Sequence, residues 1–147
     1  MELTVNKLEL LLLKAEDYFD IATDDMLMLK PNSGQWSKKE ILGHLVDSAI
    51  HNLVRFTESS SLPKPYKYRP YDQNALVKTN KYQLASTSEL FQLWYSLNRQ
   101  IIRVIASRTA EELETAIELH DQSIVDLRYL ITDYPDHMEH HLNQIIQ

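Results

Sequence analysis

The chain has 147 residues, 44% of them hydrophobic and 24% charged, which is enough to bury one continuous core and too few for two. Its formal charge of −6, from 21 acidic against 15 basic residues, has the wrong sign for a surface that neutralises phosphates, so no nucleic-acid partner is expected. Cysteine is absent and glycine occurs twice, which excludes disulfides, thiolate chemistry, Cys-held metal clusters, Rossmann fingerprints and phosphate-cradling loops.

The longest apolar run, Leu10 to Leu13, stops at Lys14, well short of the roughly 20 residues of a membrane span. The start, Met1-Glu2-Leu3-Thr4, has no basic segment and no leader pattern, and a cytoplasmic location is expected. In residues 3 to 28, Leu8, Leu11, Leu12, Ala15, Tyr18, Phe19, Ala22 and Met26 recur at three-four spacing and predict a first amphipathic helix. The turn residues of Lys30 to Gln35 reverse the chain. Ser37-Lys38-Lys39-Glu40 has the form of a capping box, and Ile41, Leu42, Leu45, Ile50, Leu53 and Val54 carry a second helix to about Phe56.

From Ser59 to about Thr79 the period breaks, with Pro63, Pro65 and Pro70 interleaved with Tyr66, Tyr68 and Tyr71; this predicts a long non-helical crossover. Ser86-Thr87-Ser88-Glu89 again resembles a capping box, and Leu90, Phe91, Leu93, Trp94, Leu97, Ile101, Val104 and Ile105 make the strongest stripe, the third helix. Thr109-Ala110-Glu111-Glu112 repeats the cap signature, but Leu113 to Asp121 has no clear period and reads as extended or turn. A fourth helix, from Ser123 to Ile145, contains Pro135, which removes the hydrogen bond to Ile131 and predicts a kink. The sum is an all-α, four-helix bundle of up-down-down-up type, in one domain over residues 1–147.

Six histidines remain to be explained: His44, His51, His120, His137, His140 and His141. His137 and His141 are one turn apart and only about 40° apart around the helix, which lets two imidazoles converge on one ion; His140 points elsewhere. The segment His137-Met138-Glu139-His140-His141 lacks the Glu that follows the first His in a zincin metalloprotease. Asp133, one turn before His137, is placed to orient an imidazole. Two ligands leave an ion under-held, and His44, on the inward face between Leu42 and Leu45, is the best-placed third. Taken separately, His44 also reads as a hydrogen-bonded core histidine, and the pair on the last helix as a basic patch that favours the helix dipole.

Trp36-Ser37, then Glu40-Ile41-Leu42-Gly43-His44-Leu45-Val46-Asp47-Ser48, then Arg55-Phe56-Thr57, Arg69-Pro70-Tyr71-Asp72, and finally Tyr134 through Ile145 resemble, in order, the DinB/YfiT-like superfamily of metal-binding four-helix bundles. The resemblance implies His44, His137 and His141 as ligands of a divalent metal, Zn or Ni, with open positions. It also implies a homodimer and a metal-dependent enzyme that activates either a low-molecular-weight thiol, as an S-transferase, or a water, as a hydrolase. The substrate would be a small molecule, and Asp47, Tyr71 and Asp72 are the side chains expected near the metal. The alternative is a non-catalytic bundle with a vestigial site, acting as a ligand-binding module or as a structural dimer joined through the Leu90 to Ile105 stripe.

Overall fold

Side-chain caps start every α-helix except the first. Ser37 Oγ accepts the Glu40 N–H at 3.1 Å while Glu40 accepts the Ser37 N–H at 2.8 Å, a full capping box. The computed structural model describes residues 1–147. In chain order its elements are α1 (Glu2–Phe19), α2 (Asp24–Met28), α3 (Lys38–Glu58), β1 (Tyr66–Lys67), α4 (Gln73–Asn80), a 3-10 turn (Tyr82–Leu84), α5 (Thr87–Ala106), α6 (Ala110–Leu113), β2 (Ala116–Glu118), β3 (Ile124–Asp126) and α7 (Leu127–Ile146).

The four long helices form a square in which α1 and α3 each pack on both α5 and α7. Side-chain pairs give the directions. Lys7 meets Asp136 and Lys14 meets Asn143, so α1 and α7 are parallel. Arg99 approaches Glu9 and Phe91 meets Phe19, so α5 opposes α1, and His44 with Phe56 against His141 with Tyr134 makes α3 oppose α7. The result is the expected up-down-down-up order. Because α3 and α5 are neighbours that run the same way, the chain must return along the bundle between them, which is why the crossover is long.

One cluster of 27 buried apolar residues fills the square, with Leu8 and Leu12 of α1, Leu42 and Leu45 of α3, Trp94, Ile101 and Ile105 of α5, and Leu142 and Ile145 of α7 fully enclosed. Each such side chain contributes about 1.5–3 kcal/mol of transfer free energy, so packing rather than helix propensity carries the fold. The α5 stripe is thus largely used inside this chain.

Three local expectations are corrected and one is met. α1 stops at Phe19, and the remainder of its stripe is the separate α2, started by Thr23 whose hydroxyl accepts the Met26 N–H. The crossover does hold a helix, α4: Pro70 is its last proline, and beyond it Asp72 Oδ1 caps the Ala75 N–H at 3.0 Å. The stretch without a helical period is extended as expected and forms β2, which pairs in parallel with β1 and antiparallel with β3, so Tyr66 stands opposite Ile117 and the sheet ties the crossover to the bundle. β3 takes the residues assigned to the start of the last helix; α7 begins at Leu127, where Asp126 accepts the Tyr129 N–H at 2.8 Å. Pro135 lies buried within α7.

Candidate metal centre

His44 projects from the middle of α3, and His137 and His141 project from successive turns of α7. Their donor atoms all lie within 4.8 Å of one another. His44 Nε2 and His137 Nε2 are 3.4 Å apart. Two nitrogens bound to one tetrahedral zinc would be roughly 3.3 Å apart, so this pair already has the spacing of ligands. The donor set therefore fits a divalent ion that accepts imidazole, such as Zn²⁺ or Ni²⁺.

The outer ring atoms are held unequally. His141 Nδ1 pairs with Gln144 Oε1 at 2.9 Å, which makes Nδ1 the protonated atom and leaves the Nε2 lone pair free. His137 Nδ1 meets Ser48 Oγ at 3.4 Å. His44 Nδ1 is buried without a partner, and the ring is held by packing, with the Trp36 indole 5.2 Å from it between centroids. His140 is exposed and shares Gln144 with His141.

Burial keeps these imidazoles neutral, the form that binds metal. Desolvation, reinforced by the neighbouring imidazoles, lowers the pKa of His44 to about 3 and that of His137 to about 4. His141 is lowered as well, chiefly by burial and against the pull of Gln144. In the metal-free protein the unfolded chain therefore takes up protons below pH 6.5 that the folded chain refuses. Stability is complete above about pH 6.5 and is lost as the pH falls toward 4 and 3. Denaturant titrations of metal-free protein from pH 8 to pH 4 should show this decline, and His44→Ala should flatten it; an equal slope in that variant would refute the assignment.

The other expected residues are placed as follows. Tyr71 is half-buried beside the centre, stacked on His51 with ring centroids 4.1 Å apart. Asp47 is buried but serves the crossover: its Oδ1 accepts from the Tyr82 hydroxyl at 2.5 Å and from Asn80 at 2.9 Å. Burial raises its pKa, with the two donors opposing. Asp72 is exposed and engaged as the cap of α4. Asp133 is exposed and makes no hydrogen bond to His137; the atom beside that ring is Ser48 Oγ.

A cleft of about 300 Å³ opens against His137 and Ser48 and is walled by Asn52, Arg55, Tyr68 and Tyr71. Sequence reading missed Ser48, Asn52 and Arg55 as a set. Their four- and three-residue spacing puts them on one face of α3, a signal hidden by the apolar stripe beside them. A somewhat larger hollow bounded by Trp36, Tyr82 and Gln83 contains no histidine.

A four-helix bundle whose facing helices bring three neutral imidazoles together beneath a small cleft is, by class, a helical bundle with a candidate metal site. Residues 9–145 match the DinB superfamily model, and the chain belongs to that superfamily. It is 24% identical over 135 residues to YfiT of Bacillus subtilis, a provisionally named metal-dependent hydrolase, covering 91% of this chain and 75% of that protein. A second provisionally named metal-dependent hydrolase, from Bacillus pumilus, is 29% identical over 127 residues, covering 85% of this chain and 71% of its own. The solved YfiT structure, described as an unusual four-helix bundle topology, superposes with a TM-score of 0.87 at 23% identity over 98% of this chain and 82% of that one. A mycothiol-dependent maleylpyruvate isomerase shares the fold at a TM-score of 0.71 and 9% identity, over 96% of this chain and 59% of that one.

Proposed function

We propose that the chain is a metal-dependent enzyme in which His44, His137 and His141 hold one divalent ion, Zn²⁺ or Ni²⁺, and that it activates a low-molecular-weight thiol for transfer to a small electrophile. The observation that carries the reading is the convergence of three imidazoles, one buried and two half-buried, without a carboxylate among them, next to an open cleft. A bound divalent ion with free positions lowers the pKa of a coordinated thiol or water, so that the nucleophile forms near neutral pH. The protein's own residues prepare that chemistry: Ser48 and Gln144 orient two of the rings, and Trp36 covers the third. Tyr68, Tyr71 and Arg55 shape the space in which a substrate sits.

In the transfer, the thiolate sulfur bonds to the electrophilic carbon, the leaving group departs with its electron pair, and the thiol proton passes to solvent. The thiol reading draws on the mycothiol-dependent neighbour; the names of the two Bacillus relatives favour water as the nucleophile instead. A homodimer belongs to the same proposal and rests on the family resemblance.

The test is to load the purified protein with Zn²⁺ or Ni²⁺ and to assay glutathione and cysteine with 1-chloro-2,4-dinitrobenzene, and 4-nitrophenyl acetate without thiol. Thiol conjugation that needs the metal and is abolished by a chelator is expected. Metal-dependent ester cleavage alone would replace this reading with the hydrolase, and activity in neither assay would leave the non-catalytic bundle.

A further inference from the structure

Arg55 is 5% exposed and takes part in none of the ion pairs of the fold. The other largely buried guanidinium, Arg108, meets Glu112 at 2.9 Å. A buried cation without a counter-ion is costly, and the neutral contacts around Arg55 offset only part of that cost. Its Nη2 donates to the Arg69 carbonyl at 2.8 Å and its Nη1 to Asn52 Oδ1 at 3.4 Å, while the Tyr68 ring lies 4.0 Å beneath the guanidinium. These contacts fix the plane of the fork. A guanidinium has five N–H donors; the Arg55 Nε has no protein partner and is not sealed from solvent, and Arg55 lines the cleft, so the fork is not fully used by the protein.

We propose that this cleft binds a small organic carboxylate, with its carboxylate seated on Arg55 and its other end directed toward His137. The planar fork suits a carboxylate, and the tyrosine faces suit a compact carbon skeleton. A dianionic phosphate is disfavoured, because one guanidinium is the only fixed cation on the wall and Asp133 lies on the rim. The volume of about 300 Å³ limits the ligand to a small molecule. The direction toward His137 rests on the reading above; the carboxylate seat does not.

The seat is tested on metal-free protein, so that no ion competes for the carboxylate. Nitrogen–proton NMR would follow the Arg55 Nε–H signal and the Ser48 and Asn52 amides during titration with propionate, propionamide and inorganic phosphate. Propionate should shift them saturably, with propionamide and phosphate each at least about tenfold weaker, the loss expected when a charge-assisted pair is removed. Arg55→Lys, which keeps the charge but not the fork, should weaken propionate by about tenfold while far-UV circular dichroism shows the helices unchanged. Equal binding of propionate and propionamide, tighter binding of phosphate, or an unchanged affinity in Arg55→Lys overturns the proposal. Repetition in His44→Ala separates the two readings: propionate selectivity should survive there while metal uptake is lost.

Discussion

His137→Ala should reduce metal content from about one equivalent to nearly none, and weaken Zn²⁺ affinity by at least about a hundredfold, because two imidazoles on opposing helices remain where three converged. The fold should survive. The apolar residues that stabilise it, from Leu8 to Ile145, are untouched, and His137 itself is only half-buried. Elemental analysis with far-UV circular dichroism of the same samples checks both parts. His51→Ala and His120→Ala should keep the metal, since neither imidazole belongs to the cluster. A His120→Ala protein as empty as His137→Ala would show the ligand set to be wrong.

Gly43→Ala should destabilise the protein by about 2 kcal/mol, although alanine is the better helix former by about 1 kcal/mol. A methyl group at residue 43 would lie 2.1 Å and 2.2 Å from two Tyr82 ring carbons and 2.7 Å from its Cβ. Tyr82 cannot withdraw freely, because its hydroxyl is held by Asp47 and its backbone belongs to the turn that follows α4. In a chain of this size the loss corresponds to a fall in Tm of roughly 6 °C. In a Tyr82→Gly background the ring and its Cβ are both gone, so the same substitution should cost less than about 1 kcal/mol. Equal costs in the two backgrounds, measured by urea denaturation, would show that the close approach is not the cause.

Much of the bundle is legible in residue order because its signals are local. The capping boxes at Ser37 and Thr109 depend on atoms three residues apart, and both form as the spacing indicates. The His137 and His141 pair is likewise one helical turn of sequence. The sheet is not legible: β1 joins β2 across some fifty residues, and each strand is only two or three residues long, too short to show a period. The partners of Asp47 and Asp72 were hidden for a related reason. Both are carboxylates close in sequence to metal-site motifs, yet Asp72 is used by its own helix and Asp47 by a tyrosine 35 residues away.

By itself the sequence determined the four long helices, the starts of α3 and α5 and the one-turn pairing of His137 with His141, because each follows from helical periodicity or from hydrogen bonds within a few residues, while the long crossover indicated the up-down-down-up order. Only the tertiary structure decided that His44 Nε2 comes within 3.4 Å of His137 Nε2, and that Ser48, Asn52 and Arg55 face a cleft closed by tyrosines of the crossover. Those distances are set by how two antiparallel helices and a returning loop pack, and packing depends on side-chain shapes far apart in the chain, which no local period encodes.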